Sequence, residues 1–147
     1  GWFTDTTCHR VSTQRIFFLQ CGDPSGTGRG GPGYRFDDEL GSSTAYPAGV
    51  VAMANSGQNT NGSQFFLVFA DSELPPRYTV FGTMDAASTQ AVADLAFQGH
   101  DNSFGDGTGR PNAPATITSV TVRPTAISTS VPAGVCCTTL PTRFATT

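Results

Sequence analysis

Few residues in this chain can do covalent chemistry. Only two imidazoles, His9 and His100, occur in 147 residues, and all eight basic residues are Arg. Without Lys, a Schiff base or a phosphate-loop lysine is excluded. Ser43 sits in Gly41-Ser42-Ser43-Thr44-Ala45, which lacks the second glycine of a nucleophile elbow. His9 and His100 read as surface or hydrogen-bonded core histidines. Asp37-Asp38-Glu39 could be a paired-carboxylate site, but a solvated acidic turn is the plainer reading. Gly26-Thr27-Gly28-Arg29-Gly30-Gly31 fits a dinucleotide fingerprint by letter. That fingerprint must open a helix, and Pro32-Gly33-Tyr34 follow instead. Cys8, Cys21, Cys136 and Cys137 show neither CxxC nor CxxH spacing, so no metal site is expected. The triplet Asn61-Gly62-Ser63 is a glycosylation sequon, a pattern common by chance.

What remains is a set without nucleophile, base or metal. Arg10 lies on a candidate strand, and a Phe-rich second strand ends in Gln20. Amide-rich loops lead into Gln64-Phe65-Phe66. Such residues can build an apolar pocket rimmed by neutral amides and one guanidinium. On composition alone the plainer alternative, a Phe-packed core with a surface Arg, is favoured.

The elements that must position these residues are mostly strands. Thr7–Val11 and Ile16–Cys21 read as short strands joined through the polar link Ser12–Arg15. Asp23–Tyr34 is rich in Gly and Pro, which is loop chemistry. Gly49–Met53, Gln64–Phe69 and Tyr78–Met84 read as buried or half-buried strands, separated by turn-rich segments. Asp85–Phe97 is the one convincing helix: Asp85 or Ser88 can cap it, and Val92, Leu95 and Ala96 share a face. Ala115–Val122 alternates apolar and hydroxyl residues as a half-buried strand does. Residues 124–147 have no period and read as an irregular tail. About six strands and one helix make a mainly β chain, a barrel or strongly curved sheet, with open edges.

Composition narrows the partners. The net charge of −3, with 13% charged residues, is the wrong sign for a phosphate-backbone binder, so no nucleic acid is expected. No apolar run spans a bilayer and no signal-peptide pattern occurs. The first residue is Gly rather than Met, which suggests processing or a fragment.

Taken in order, the residues resemble the cyclophilin family of peptidyl-prolyl isomerases. The resemblance rests on His9-Arg10-Val11, on Phe17-Phe18-Leu19-Gln20-Cys21-Gly22-Asp23 and on Gly26-Thr27-Gly28. It continues through Tyr34-Arg35-Phe36-Asp37-Asp38-Glu39, the block MANSGQNTNGSQFF (Met53–Phe66) and YTVFGTM (Tyr78–Met84). It covers about residues 1–123, which it implies are the isomerase domain. Residues Ser12–Ile16, inserted before the Phe segment, Cys21 in place of Gly, and the loop Leu74-Pro75-Pro76-Arg77-Tyr78 look like the actinobacterial branch. Many members carry Trp and His in that loop, so the resemblance does not carry cyclosporin binding over to this chain. Family barrels have eight antiparallel strands and two helices. By that measure the chain starts just before the third strand and lacks the first two strands and first helix.

The resemblance implies rotation about X-Pro bonds in proline-containing peptides or unfolded protein clients, with no cofactor. It also implies roles: Arg10 as donor to the prolyl nitrogen, and Phe17, Phe18, Phe66 and Leu74 as the seat of the proline ring. Gln20 and Gln64 would orient Arg10 and the substrate carbonyl. The backbones of Gly26, Ala54 and Asn55 would hold the flanking peptide, with Tyr78 shaping the pocket wall. The alternatives are a proline-peptide binding module without turnover and an inactive truncated fragment. Cys8 and Cys21 lie on adjacent candidate strands, where a disulfide between them is one outcome. Actinobacterial relatives often have an N-terminal membrane anchor, so the resemblance leaves the compartment open: cytoplasmic, or extracytoplasmic with the anchor in a preceding segment.

Overall fold

The computed structural model describes residues 2–41 and 45–120, together with the backbone of Arg123–Pro124, Thr138–Thr139 and Thr142–Ala145. Ser43, Cys136, Cys137, residues 121–122 of the last expected strand and most of the expected tail lie outside the described residues.

Eight strands precede residue 121. They are β1 (Thr6–Thr7), β2 (Arg10–Gln14), β3 (Ile16–Cys21), β4 (Val50–Met53), β5 (Phe65–Val68), β6 (Val80–Thr83), β7 (Thr108–Gly109) and β8 (Thr116–Val120). One helix, α1 (Ala86–Ala96), follows β6. Short strands β9 (Arg123–Pro124), β10 (Thr138–Thr139) and β11 (Thr142–Ala145) complete the order. One sheet runs β7-β2-β3-β5-β4-β6-β10-β9, and a second runs β1-β8-β11. Pairing is antiparallel except where β10 runs parallel to β6. The expected mainly β class with one helix is what the chain adopts. β1 and β7, two residues each, are additions too short to leave a period in the sequence, and β9, β10 and β11 are additions at or within the segment expected to be an irregular tail.

The central strands are buried on both faces, which explains their unbroken apolar runs IFFL, VVAM and FFLV. On one face, Leu19, Cys21, Val51, Phe65 and Leu67 pack with Ile117 and with Val92, Leu95 and Ala96 of α1. On the other, Phe18, Ala52, Phe66 and Val68 pack with Tyr46. Leu19, Leu67 and Leu95 are among the largest side chains fully withdrawn from water. Each such burial is worth about 1.5–3 kcal/mol. The helix starts where expected: Asp85 caps it by accepting the Ser88 amide at 2.7 Å.

One local expectation is corrected. Ser12–Arg15 is not a polar link but the end of β2 and a tight turn. β2 pairs with β3 from Arg10↔Gln20 to Gln14↔Ile16. Arg15 makes the reversal in the left-handed region at φ 66°. Ser12 is tolerated inside because its hydroxyl donates to the Ile16 carbonyl at 2.6 Å.

The disulfide left open by the sequence is present between Cys8 and Cys21. It ties the residue just before His9-Arg10 to the residue just after Gln20. It therefore clamps the hairpin on which Arg10 and Gln20 stand opposite one another.

Candidate functional site

A groove of about 1090 Å³ opens on the Phe18–Phe66 face of the large sheet. Strand alternation decides who enters it. Residues 16, 18 and 20 of β3 share a face, so Ile16, Phe18 and Gln20 line the groove. Phe17 points to the other side, where it packs with the helix-side core and meets the Phe69 ring edge-on at 5.9 Å. The expectation that Phe17 seats a ligand ring is thus corrected, and Ile16 takes that place. The signal was the period of two, counted back from Gln20.

Of the other expected residues, Arg10, Gln20, Ala54, Asn55, Gln64, Phe66, Leu74 and Tyr78 all line the groove with Phe18. Gly26 does not. It borders a separate hollow of about 200 Å³ beside His9 and Arg110, and its carbonyl accepts from Arg110 Nη1 at 3.2 Å.

The apolar floor is an aromatic cluster. The Phe66 ring lies 5.8 Å from Phe18 and 5.3 Å from Tyr78, both edge-on. Beneath them Tyr46, which the sequence reading missed, fixes the wall. Its hydroxyl accepts the Tyr78 amide at 2.9 Å and donates to the Tyr78 carbonyl at 3.0 Å. Burial raises the Tyr46 phenol above its ordinary range, so it stays neutral and able to do both.

Arg10 stands at one edge of this floor. Its Nε donates to Thr108 Oγ1 at 2.8 Å, and its Nη2 donates to Asp106 Oδ2 at 2.7 Å. The Thr108 hydroxyl donates in turn to Asp106 Oδ1. That bond is the main reason the Asp106 carboxyl lies below its ordinary range, with the Arg10 charge adding to it. The guanidinium carbon also lies 5.8 Å from the Phe18 ring centre and 5.3 Å from that of Phe104. Two of three guanidinium nitrogens are thereby occupied by protein, while Nη1 makes no hydrogen bond to any described residue.

This changes the role expected of the glutamines. Gln20 and Gln64 do not hold Arg10. Gln20 Nε2 donates to Gln64 Oε1 at 2.8 Å, and Gln64 Nε2 donates to the carbonyls of Gly28 at 3.1 Å and Gly30 at 2.8 Å. The pair ties the strand floor to the glycine-rich loop. Asp106, Thr108 and Phe104 do the work on Arg10. They lie about a hundred residues away, in a polar loop with no periodic signal. The Ala54 amide is given to the Gln64 carbonyl at 2.9 Å, and the Asn55 side chain donates to the Arg77 carbonyl at 2.8 Å.

The glycine loop is built around a buried acid. Asp23, fully withdrawn from solvent, accepts the amides of Ser25, Gly28 and Gly30 at 2.7, 2.6 and 3.1 Å and the Ser25 hydroxyl. Burial by itself would raise its carboxyl, but these donors outweigh it and hold it far below the usual carboxylate range. Gly30 is required here, because a Cβ would collide with the Asp23 carboxylate. Gly22, at φ 85°, lets the Ser63 backbone approach where a Cβ would overlap it. That approach sets the neighbouring Gln64.

His9 sits behind the loop, 3% exposed, and neither ring nitrogen has a hydrogen-bond partner. Desolvation lowers its pKa, Arg110 and Arg10 add to this, and Asp23 opposes it. The ring is therefore neutral and structural. Among the described residues no cluster of His, Cys, Asp and Glu could hold a metal, and no helix is long and apolar enough to cross a membrane.

Comparisons with known proteins bear on the family and the fold. The model of the family described as "Cyclophilin type peptidyl-prolyl cis-trans isomerase/CLD" matches residues 1–122. The "Probable peptidyl-prolyl cis-trans isomerase B" of Mycobacterium tuberculosis (strain CDC 1551 / Oshkosh) is 47% identical over 133 residues, 82% of this chain and 42% of that protein. Its counterpart in Mycobacterium leprae is 48% identical over 133 residues, 82% of this chain and 44% of that protein. The chain thus spans less than half the length of these curated relatives. A cyclophilin type isomerase of Cryptosporidium parvum, crystallised in the presence of the dipeptide Ala-Pro, superposes with a TM-score of 0.61 at 33% identity. It covers 78% of this chain and 72% of its own. A family-wide match over most of the chain, mycobacterial relatives near half identity and a shared fold leave one assignment: this chain belongs to the cyclophilin type peptidyl-prolyl cis-trans isomerase family.

Proposed function

We propose that this chain accelerates rotation about X-Pro peptide bonds, with residues 1–123 as the catalytic domain and proline-containing peptides or unfolded segments as substrates. The observation that carries this reading is Arg10, pinned by Asp106 and Thr108 at the edge of the Phe18–Phe66 floor.

Rotation needs no nucleophile or proton relay. Its barrier of about 18–20 kcal/mol is the loss of amide resonance. In the twisted state the nitrogen lone pair is localised and can accept a hydrogen bond; in the planar ground state it cannot. A donor aimed at that nitrogen therefore binds the transition state differentially, which is what lowers a barrier. The Arg10 guanidinium, always charged and held by two of its nitrogens, supplies that donor through Nη1 without reorganising. Ile16, Phe18, Phe66 and Leu74 seat the pyrrolidine ring, with Tyr78 as the wall. Gln20, held by its bond to Gln64, presents its side-chain carbonyl to the substrate backbone beside Ala54 and Asn55. The neighbouring structure obtained in the presence of Ala-Pro supports the choice of substrate class for this chain.

The test is exchange NMR of a short Ala-Pro peptide with catalytic amounts of protein, which avoids a coupled protease. Removing a preorganised transition-state donor costs about 2.7–4 kcal/mol, so Arg10→Ala should lose roughly 10²–10³-fold in rate. An Arg10→Ala protein that keeps most of its activity with an unchanged spectrum overturns the mechanism. No exchange by the unaltered chain, with peptide still bound, assigns it instead as a binding module.

A further inference from the structure

The groove carries a charge pattern that proline recognition does not require. Resting on the isomerase reading, the geometry points to a preference for proline peptides that carry an acidic side chain near the proline, recognised by Arg29 and Arg35.

The chain has a net charge of −3. Yet the described residues lining the groove include three cations, Arg10, Arg29 and Arg35, and no Asp or Glu. Arg10 is already paired with Asp106. Arg29 and Arg35 form no ion pair with any described residue, and both are exposed.

The nearby carboxylates are engaged or lie outside the groove lining. Asp23 is buried beneath the loop and saturated by Ser25, Gly28 and Gly30. Asp38 accepts from the Asn59 amide at 2.8 Å and from Asn61 Nδ2 at 2.8 Å. Asp37 does not line the groove.

The space around the glycines between the two arginines is also open. A Cβ at Gly31 or Gly33 would meet nothing within 4 Å. Side chains of a bound peptide therefore have room to reach the two guanidinium groups. A groove lined by two unpaired cations and by no Asp or Glu attracts carboxylates and repels ammonium groups. Both arginines are solvated, so the effect is small per contact and salt-sensitive.

The experiment compares peptides Xaa-Ala-Pro-Phe and Ala-Pro-Phe-Xaa with Xaa as Glu, Gln or Lys. Exchange NMR is run at low ionic strength and again at about 0.5 M salt, where the Debye length falls to a few ångström. The same set is run on an Arg29→Ala/Arg35→Ala double variant. The expected order is Glu over Gln over Lys in at least one series, with a Glu-to-Lys ratio of about 3- to 10-fold, the size expected of solvated ion pairs. That ratio should shrink toward one in high salt and in the double variant. Ratios near one in both series, or a ratio the double variant retains, overturn the inference. Turnover of the Gln peptides reads the isomerase activity separately. If none of the peptides turns over, their dissociation constants from chemical-shift titration must still follow the same order. Equal constants overturn the preference independently of catalysis.

Discussion

Asp106→Ala is the sharpest test of how Arg10 is held, because the residue touches the guanidinium and does not line the groove. The Arg10–Asp106 bond is short at 2.7 Å, but the side chains are 31% and 54% exposed. At that exposure the attraction itself is worth only about 0.2–1 kcal/mol. Its second effect is to restrict a side chain with about 2 kcal/mol of rotamer entropy, most of which the Thr108 bond continues to restrict. Together these give a loss of about 0.7–1.4 kcal/mol in transition-state stabilisation, or roughly 3- to 10-fold in kcat/KM. This lies well below the loss expected for Arg10→Ala. Because Asp106 acts through Arg10, the double variant Arg10→Ala/Asp106→Ala should be no slower than Arg10→Ala alone. The loss should fall in kcat, with KM nearly unchanged, since the apolar seat is untouched. Exchange NMR over a range of peptide concentrations reads all four proteins. Full activity in Asp106→Ala, or two losses that simply add, would refute the positioning argument.

The remaining expectations concern the scaffold. Asp23→Asn removes a buried charged acceptor and sets an amide against backbone N–H donors. The cost should be about 3 kcal/mol or more in urea unfolding, from several charge-assisted bonds at once; a loss under about 1 kcal/mol would contradict the reading of the loop. Reduction of Cys8–Cys21 reopens a loop with a sequence separation of 13 in the unfolded chain. Stability should drop by about 2–3 kcal/mol, seen as a lower Tm with reductant and absent in a Cys8→Ser/Cys21→Ser protein. Acid should destabilise in two stages. His9 is held below its ordinary 6.5, so the unfolded chain binds its proton first and stability declines as pH falls through that value. Asp23 and Asp106 are depressed, so their contribution is complete above the ordinary 3.8 and is lost only as pH falls below it. Urea midpoints that stay level between neutral pH and about pH 5 would exclude the His9 stage.

How much of this was legible in the sequence follows from the range of the forces involved. Apolar runs with polar punctuation were enough for the central strands, because a strand buried on both faces must be apolar throughout. The spacing of Val92, Leu95 and Ala96 was enough for α1, while its cap stayed open between Asp85 and Ser88 until the structure put it at Asp85. The absence of Lys and of any metal-ligand spacing spoke against covalent and metal chemistry, but composition alone favoured a Phe-packed core with a surface Arg; the roles of Arg10, Gln20 and Gln64 came from the family resemblance. These are local facts, encoded in neighbouring residues.

Only the tertiary structure decided the rest. Which of Phe17 and Phe18 enters the groove depends on register, and a shift of one residue exchanges the faces. The turn at Arg15 sets that register by pairing Gln14 with Ile16, so Ile16, Phe18 and Gln20 face the site while Phe17 joins the core. The partners of Arg10 were beyond sequence reasoning because Asp106 and Thr108 arrive from a glycine-rich loop through the short pairing of β7 with β2. Two residue pairs of ladder leave no periodic trace. Whether Gln20 and Gln64 hold the arginine or the glycine loop was likewise a matter of where their side-chain amides end. Residue types dictated the kind of chemistry available; contacts across 36 to 98 positions in sequence, such as Gln64 with Gly28 and Arg10 with Thr108, decided which residues perform it.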